Sequence, residues 1–280
     1  MYTSISQTFR HCFRLLIAVF AFPMVAYASL PQSANVPGGL AIIPLASVNN
    51  TSKPQAWLND QQVLVTADSD QWFAVVGLGL NTKPGPHELR INTDRATLVH
   101  HFTVNPKDYP EQRIKLKDKG KVDLSAKNLK RVMRELKVIT GWKKYWREAP
   151  ETDLDFIVPA EGELSSRFGL RRFFNDKPRN PHAGLDLAVA RGTPIMASSA
   201  GTVLAADDYF FNGKTVFIDH GNGLITMYCH LDKFKVKAGQ MVNKGELIGL
   251  SGKTGRATGP HLHWSVMLNG EMVDPELFIR

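Results

Sequence analysis

The sequence predicts a mainly β protein in which an N-terminal, immunoglobulin-like β-sandwich and a connecting helix precede a larger antiparallel β domain. Three observations support this fold class. Short β-type runs recur between turn signals over residues 38–116, and a single helical hydrophobic pattern follows them. After residue 156, glycine recurs between short apolar runs without a helical period. Parallel strands need long crossovers that are usually helical, so this second β domain is predicted to be antiparallel.

The first 28 residues have the order of a secretory signal peptide. Arg10 and Arg14 precede an apolar run over residues 15–25, and an A-x-A sequence ends at Ala28. This run is too short to span a bilayer well, so we expect cleavage after Ala28 and no stable membrane insertion afterwards. An uncleaved membrane anchor is the alternative interpretation.

Cysteine and charge content narrow the function only slightly. Cys12 leaves with the signal peptide, so Cys229 is the only thiol of the mature chain and no intramolecular disulfide can form. The formal net charge of +8 includes Arg10 and Arg14, so the mature chain carries +6. Such a charge suits cell wall, lipid headgroups or extracellular nucleic acid, and by itself selects none of them.

Residues 29–120 are predicted to form the small β-sandwich. The clearest strands lie between proline, glycine and asparagine turn signals, and they are Val63–Thr66, Trp72–Val76, Glu88–Ile91 and Thr97–Val104. His100 and His101 are adjacent and therefore point to opposite faces of a strand. This pair indicates an ordinary surface and not a metal site.

Residues 121–155 are predicted to form a helix and a linker, with residues 156–280 as the second domain. Ser125 suits an N-cap, and the helix is expected to reach about Arg147. The expected buried stripe follows i, i+3, i+4 spacing and consists of Leu129, Val132, Met133, Leu136 and Ile139. The other face is basic, which is typical of a solvated surface.

The second domain contains the residues that suggest chemistry. Gly259-Pro260 breaks regular structure, and the following run favours a strand with His261 and His263 on one face. His182 and Asp186 are four residues apart, which also puts them on one face of a strand. Imidazole nitrogen and carboxylate oxygen are zinc ligands, so adding His263 would give three protein ligands and leave a fourth position for water. A simple surface histidine pair is the competing interpretation of His261 and His263.

Cys229 is an alternative fourth ligand that would close such a site. Along the predicted strand from Leu224 to His230, alternation puts Cys229 on the face of Met227 and His230 on the face of Tyr228. We therefore expect Cys229 to pack as a small apolar group and not to bind metal.

The chain contains the motifs His182-x-x-x-Asp186, Tyr228-Cys229-His230-Leu231 and Gly259-Pro260-His261-Leu262-His263. Together these motifs resemble those of the LytM/lysostaphin-type zinc endopeptidases, and the resemblance covers roughly residues 156–275. It implies the family's antiparallel β peptidase domain. It also implies that His182, Asp186 and His263 bind one zinc ion and that His230 and His261 form the catalytic pair.

The resemblance further implies hydrolysis of peptide cross-links in bacterial peptidoglycan by a zinc-activated water. In a Gram-negative wall the expected bond joins D-alanine to diaminopimelate, and the enzyme would act in the periplasm after export across the inner membrane. The N-terminal half is similar to β-domains that precede this peptidase in some envelope proteins, so it is expected to dock the enzyme or to cover its groove. The alternative is a catalytically silent relative that binds peptidoglycan and activates a separate amidase. Such relatives are expected to lack part of the His/Asp set, which is complete here.

Two other classes fit less well. Val236–Val242 resembles the turns of lipoyl or biotin carriers, but no suitable lysine lies in a tight hairpin there. Gly252-Lys253-Thr254 imitates the end of a P-loop, but Leu247 replaces its first glycine. We therefore expect no nucleotide and no nucleic-acid partner. The basic segment between Gly169 and His182 departs from the family's usual pattern, and either a surface loop or a groove wall would account for it.

Overall fold

A computed structural model of the chain describes residues 30–50, 52–114, 125–174 and 176–280. The predicted signal peptide lies outside these residues, so its cleavage stays a prediction. The mainly β fold class is confirmed, because strands dominate the described residues and one α-helix is present among them. In these ranges no helix has the length and apolar character needed to span a membrane.

The N-terminal domain is built on six antiparallel strands. Their bounds are β1 Leu40–Ser47, β2 Gln55–Leu58, β3 Gln61–Asp68, β4 Gln71–Gly77, β5 Gly85–Asn92 and β6 Thr97–Val104. A 3-10 helix, Val48–Asn50, follows β1, and a separate strand β7, Glu111–Ile114, follows β6. The strands β3 to β6 coincide with the predicted ones, whereas β1 and β2 were not among the predictions.

One face of all six strands surrounds a single hydrophobic core. The strands pair edge to edge in the order β1-β4-β3-β2-β5-β6. They form one continuous path instead of two separate sheets, because β3 pairs with β4 along one edge and with β2 along the other. The core residues alternate along the strands, and they include Ala41, Val65, Val76, Leu89 and Phe102.

The opposite face of β1, β3 and β4 packs against the rest of the chain. Leu40, Leu64 and Val75 are fully buried, and they belong to the same core cluster as the central residues of the C-terminal domain. Burial of each such valine or leucine side chain contributes about 1.5–3 kcal/mol to the stability of the fold. The two halves of the protein therefore share a hydrophobic interior.

The single helix, α1, spans Ala126–Lys143 and begins as predicted. Ser125 is its N-cap, and the Ser125 hydroxyl accepts a hydrogen bond from the Asn128 amide at 3.3 Å. The helix ends at Lys143 and does not reach Arg147. Residues 149–156 pack against the C-terminal domain, since Ala149 donates to the Asn222 side chain at 3.1 Å. The predicted domain boundaries themselves stay predictions.

The predicted buried stripe of α1 is largely wrong. Only Val132 is fully buried and Ile139 packs partly against a core cluster, whereas three members are about half exposed, namely Leu129, Met133 and Leu136. A neighbouring face attaches the helix instead, because Glu135 accepts a hydrogen bond from the Phe210 amide at 2.7 Å. Amphipathic spacing identifies an apolar face, but tertiary contacts decide whether that face is covered.

The C-terminal domain contains the remaining strands. They are β8 Glu163–Ser166, β9 Arg171–Phe174, β10 Lys177–Pro178, β11 Leu185–Ala188, β12 Pro194–Met196, β13 Gly201–Tyr209, β14 Gly213–Gly221, β15 Leu224–Phe234, β16 Met241–Val242, β17 Leu247–Ser251, β18 Leu262–Leu268 and β19 Glu271–Val273. A 3-10 helix, Pro275–Phe278, follows β19. The main sheet has the order β16-β13-β14-β15-β18-β11-β8, with β12, β17 and β19 paired alongside it.

The central strands of this sheet have two different faces. On one face Tyr228 and Trp264 are fully buried in the main core. On the other face Met227, Cys229 and Met267 form a smaller cluster, which the C-terminal part of α1 helps to cover. The candidate site lies at one end of this second face.

One strand pair in the described residues is parallel. All pairs within the C-terminal domain are antiparallel, as predicted, but β7 pairs in parallel with β9 in the order β10-β9-β7. The connection between β7 and β9 is long and includes α1, which is the kind of crossover that a parallel pair requires. This pairing brings a strand from the N-terminal half beside the candidate site.

Candidate active site

Two adjacent strands and the segment that precedes one of them bring the predicted metal ligands together. Asp186 on β11 is directly opposite His263 on β18, and Cys229 on β15 is opposite the same histidine. Opposed residues in antiparallel strands point their side chains to the same face. His182 lies just before β11, where its amide donates to the Leu170 carbonyl at 2.9 Å.

The three candidate ligand atoms are close enough to hold one ion. His182 Nε2 is 2.9 Å from Asp186 Oδ1, and His263 Nδ1 is 2.8 Å from the same oxygen. The two imidazole nitrogens are 3.0 Å apart. Among the described residues, His182, Asp186 and His263 form the group of metal-ligating side chains whose ligand atoms lie within 4.8 Å of one another.

The outer hydrogen bonds of the two imidazoles orient lone pairs toward this cluster. His182 Nδ1 is 2.8 Å from the Arg167 carbonyl oxygen, which can only accept, so Nδ1 carries the proton and Nε2 is an acceptor. When His263 Nε2 donates to Ser265 Oγ, 2.9 Å away, His263 Nδ1 is an acceptor as well. Three acceptors then converge without a donor between them, and a divalent cation satisfies that arrangement.

The chain leaves no space for a side chain beside this cluster at Gly184. A Cβ atom at Gly184 would lie 2.5 Å from the Trp264 carbonyl oxygen and 2.8 Å from His263 Cε1. Gly184 therefore lets the segment between His182 and Asp186 approach β18 closely. This close approach sets the distance between the candidate ligands of the two segments.

The electrostatics of the cluster favour added positive charge. Burial raises the pKa of Asp186, but the hydrogen bonds and charges of His182 and His263 outweigh burial and hold this pKa well below its ordinary value. Burial lowers the pKa of His263 despite its contact with Asp186. The carboxylate therefore stays ionised, and it is neutralised either by protons on the imidazoles or by a metal ion.

Arg172 on β9 also contacts the candidate ligand carboxylate. Its Nη2 is 3.1 Å from Asp186 Oδ2 and 2.9 Å from Ser166 Oγ. The guanidinium thus occupies the outer oxygen of Asp186 and leaves Oδ1 directed toward the imidazoles. A hydrogen-bonded ligand carboxylate is held in one orientation, which is how residues behind metal ligands tune a site.

A β-bulge brings His230 to the cluster. Val216 pairs with Tyr228 and Lys214 pairs with Leu231, so β15 has an extra residue at this point. His230 has φ of 62°, the left-handed conformation that bulges and turns use. The expectation that His230 shares the face of Tyr228 is therefore wrong, because the bulge turns His230 into the same cleft as Cys229.

His230 and His261 lie next to each other at the open side of the cluster. Their ring centroids are 4.7 Å apart, and His261 Nε2 is 4.0 Å from Asp186 Oδ1. His230 Nδ1 is 2.8 Å from the Thr254 carbonyl oxygen, and His261 Nδ1 is 2.9 Å from the Gly259 carbonyl oxygen. Both Nδ1 atoms therefore donate to backbone, which leaves each Nε2 able to exchange a proton. Burial lowers the pKa of His230 to about 4, helped by the charge of His263.

These residues line one open cleft of about 550 Å³. Its lining includes residues of β8 and β9 and of the loops around residues 211 and 256–260. All five predicted site residues line it, namely His182, Asp186, His230, His261 and His263. Gln112 on β7 is its one described lining residue that precedes residue 156.

Comparisons with known proteins assign this architecture to a family. Residues 180–275 match Peptidase family M23, and residues 33–107 match the Peptidase family M23 N-terminal domain. A crystal structure from Pseudomonas aeruginosa assigned to peptidase M23 is 40% identical, with a TM-score of 0.73, and the match covers 88% of this chain and 96% of that one. The chain belongs to peptidase family M23. The resemblance inferred from the sequence motifs is thereby confirmed.

Curated relatives of this M23 chain match over its C-terminal part. Peptidoglycan DD-endopeptidase ShyA from Vibrio cholerae is 43% identical over 120 residues, which is 42% of this chain and 28% of the relative. DD-carboxypeptidase/endopeptidase Mpg from Neisseria meningitidis is 41% identical over 112 residues, 40% of this chain and 26% of the relative. The chain thus spans less than a third of the length of these two relatives.

The sequence motifs of the M23 chain did not identify Arg172, Ser166 or Ser265 as part of the site. Arg172 lies in the basic segment that was expected to be a surface loop or a groove wall, and its contact with Asp186 makes this segment part of the wall. From sequence alone, an arginine that contacts a ligand carboxylate looks the same as a solvated arginine, because only the tertiary structure brings β9 beside Asp186.

Cys229 keeps its predicted structural role in the M23 fold. It packs with Met227 and Ile225, and burial raises the pKa of its thiol to about 12, so it stays protonated. His220 is a second buried polar residue, and it bonds the Ala200 carbonyl and Thr226 Oγ1 at 2.7 and 2.8 Å. It is a satisfied core histidine away from the cleft.

Proposed function

We propose that this chain is a zinc-dependent endopeptidase that hydrolyses peptide cross-links of bacterial peptidoglycan. The single observation that carries the proposal is the convergence of His182 Nε2, Asp186 Oδ1 and His263 Nδ1 beside an open cleft. Two imidazoles and one carboxylate with an open position match a catalytic zinc site, whereas structural sites are usually closed by four side chains. The proposal includes one ion, since the three ligand atoms converge on one point.

A bound zinc ion supplies polarisation of the scissile carbonyl and acidification of a water molecule. The residues of the chain would do the rest of the work. His182 and His263 are kept in metal-binding tautomers by the Arg167 carbonyl and Ser265 Oγ. Arg172 fixes the orientation of Asp186, so that one carboxylate oxygen serves the ion.

We assign proton transfer to His230 and His261. With each Nδ1 bonded to a backbone carbonyl, each Nε2 can accept a proton from the attacking water or deliver one to the leaving amine. Because the pKa of His230 is lowered to about 4, His230 is neutral near pH 7 and suits the accepting role. His261 would donate a hydrogen bond to the tetrahedral oxyanion and help to deliver a proton to the leaving amine.

The substrate assignment rests on the relatives and on the cleft. Relatives that match the C-terminal part are named peptidoglycan DD-endopeptidase and DD-carboxypeptidase/endopeptidase. An open cleft of about 550 Å³ suits an extended peptide better than a small enclosed ligand. We therefore propose the D-alanyl–diaminopimelate amide as the cleaved bond and the periplasm, after signal-peptide cleavage, as the location.

The competing function is a catalytically silent factor that binds peptidoglycan and activates a separate amidase. The assembled ligand cluster and the two adjacent histidines favour hydrolysis. The test uses the full purified chain, its zinc content and mass spectrometry of defined cross-linked muropeptides. We expect one zinc ion per chain and two products whose masses sum to substrate plus one water. A chain that binds zinc but leaves the muropeptides uncleaved would overturn the hydrolase assignment. The masses of the products identify the cleaved bond.

The N-terminal domain is proposed to act on the cleft through β7. The parallel pairing of β7 with β9 puts Gln112 in the cleft wall, while the six-stranded sheet contributes no described lining residue. Covering of the groove would then be local to β7. The other role that the six-stranded sheet can serve is to dock the enzyme on the peptidoglycan cell wall.

A further inference from the structure

Arg256 is positioned at the rim of the cleft by its loop. Gly255, with φ of 72°, lets the loop between β17 and β18 lie directly against residues 211–213, since a Cβ there would be 2.3 Å from the Gly213 nitrogen. The Arg256 amide donates to the Phe211 carbonyl at 2.9 Å. The guanidinium then lies over the Phe211 ring, with Cζ 4.0 Å from the ring centroid.

This stacking fixes the guanidinium while leaving its hydrogen-bond donors free. No carboxylate pairs with Arg256 among the described residues, and no side-chain hydrogen bond from it is present there. Arg172 differs, because it is bonded to Asp186 and Ser166. A stacked guanidinium with unoccupied N–H groups is prepared for a planar anion, which it can bind through two parallel hydrogen bonds.

Like charges surround Arg256 and oppose its position. Packing against the loop lowers its pKa, and the positive charges of Arg179 and Arg172 lower it further. Arg256 is itself exposed at the rim, so an anion from solvent can reach it and offset these like charges.

The cleft itself is electropositive. Asp186 is the one carboxylate among its described lining residues, and its charge is already engaged by the candidate metal ligands and by Arg172. Arg172 and Arg256 both line the cleft and contribute positive charge to it. The remaining field therefore attracts a negatively charged ligand.

We propose that Arg256 binds a free carboxylate of the peptide substrate beside the scissile amide and so determines specificity for acidic cross-linked peptides. This inference rests on the proposed function for the choice of peptide. Cross-linked stem peptides carry free carboxylates close to the cross-link, and a carboxylate has the planar shape that the guanidinium fork fits. Arg256 is a specificity-determining residue in this account and not a source of protons.

The test measures binding separately from hydrolysis. The probes are a cross-linked muropeptide with free carboxylates and the same muropeptide after chemical amidation. Dissociation constants are measured by calorimetry on the zinc-loaded full chain carrying His230→Asn, which prevents turnover during titration. We expect the free form to bind about 10-fold more tightly than the amidated form, as charge-assisted pairs allow. Arg256→Gln is expected to remove this preference, Arg256→Lys to retain part of it, and Arg134→Gln, on the exposed face of α1, to retain all of it.

The outcomes separate this inference from the proposed function. Equal binding of the two probes, or a preference that survives Arg256→Gln, overturns the role of Arg256 whether or not the wild-type chain hydrolyses muropeptides. Preference for the free form without hydrolysis by the wild-type chain supports Arg256 and contradicts the endopeptidase. In an active wild type, Arg256→Gln should raise KM about 10-fold for the free substrate with little change in kcat. A fall in kcat alone would contradict a binding role.

Discussion

His182 Nε2 and His263 Nδ1 lie 3.0 Å apart, although the proton of each ring can be held by its other nitrogen. The proton of His182 is committed to the Arg167 carbonyl, and that of His263 can be committed to Ser265. Two lone pairs at this distance repel unless a positive charge lies between them. A cation held between them would remove this repulsion, and Asp186 Oδ1 is placed to be its third ligand.

Zinc is accordingly expected to stabilise the folded chain. A ligand that binds only the native state at 100 times its Kd adds about 2.7 kcal/mol, which raises Tm by about 5–10 °C for a chain of this size. His263→Ala is expected to lose this shift, while His101→Ala on the exposed face of β6 keeps it. Differential scanning calorimetry of the metal-free chain with and without zinc measures the effect. An equal shift in both variants would mean that zinc binds elsewhere.

Arg172 is expected to control metal affinity without binding the metal. Arg172→Gln removes the charged contact to Asp186 Oδ2 and lets the carboxylate rotate, so zinc affinity should fall by about 10–100-fold. Arg171→Gln is the matched control, because Arg171 on the same strand pairs with Glu111 at the surface. Competition with a chromophoric chelator gives both Kd values. Identical zinc affinities of the Arg172→Gln and Arg171→Gln variants would show that Arg172 does not support the metal site.

His230 is expected to be needed for turnover and not for zinc. Asn is the suitable replacement, because φ of 62° is tolerated by asparagine better than by most residues. His230→Asn should lower kcat by about 10²–10⁴-fold, the usual contribution of a proton-transfer group, with one zinc ion retained. Muropeptide kinetics and metal analysis of the same preparation test this. A variant that loses its zinc would show that His230 supports the metal instead.

The sequence predicted the ligand cluster because its signals are local. His182 and Asp186 are close in the chain, as are His261 and His263, and even spacing puts each pair on one side of an extended segment. The joining of the two pairs required the strand order in which β11 lies beside β18. Only the family-like motifs, and not periodicity, indicated that these distant segments meet.

The errors arose where tertiary structure overrides periodicity. Alternation along β15 failed at His230, because a bulge adds one residue and reverses the side to which the side chain points. The apolar stripe of α1 failed at Leu129 and Met133, because the helix docks through Glu135 and its neighbours. Neither a bulge nor a docking face leaves a periodic signature in one sequence.

The buried histidine His220 predicts how stability depends on pH. Burial lowers its pKa below the ordinary 6.5, so the unfolded chain binds more protons than the folded one as pH falls below about 6.5. Stability is therefore fully present above pH 6.5 and is lost as pH falls toward the lowered pKa, by at most about 1.4 kcal/mol per pH unit for one proton. Urea unfolding of metal-free chain at pH 7, 6 and 5 measures this slope.

A non-titrating replacement isolates the contribution of His220. His230 and His263 also have lowered pKa values, so the wild-type slope has several sources. His220→Gln should reduce the slope between pH 7 and 5 as well as the stability at pH 7, because its bonds to Ala200 and Thr226 change. The exposed control His101→Gln should leave both unchanged. A slope that His220→Gln does not reduce would assign the pH dependence to the site histidines.

The β7 strand predicts how the N-terminal half affects activity. Removing residues 1–155 would expose the core surface that Leu40, Leu64 and Val75 cover. Truncation would therefore change the stability of the C-terminal domain as well as any covering of the cleft. Arg113 is a milder target. It pairs with Asp176 at 3.3 Å and lies over the Phe173 ring at 4.3 Å, which fastens β7 to β9.

If β7 narrows the cleft, Arg113→Ser should raise kcat/KM several-fold for intact peptidoglycan sacculi. The same substitution should change kcat/KM little for small muropeptides. The reason is that an exposed ion pair and one cation–π contact are each worth only about 0.5–1 kcal/mol, so the fold survives while β7 detaches more often. Arg95→Ser, in the turn between β5 and β6, is the control. Dye-release from labelled sacculi and muropeptide digestion give the two rates. Equal rates for Arg113→Ser and wild type on sacculi would make β7 a fixed wall of the cleft and leave docking as the role of the N-terminal domain.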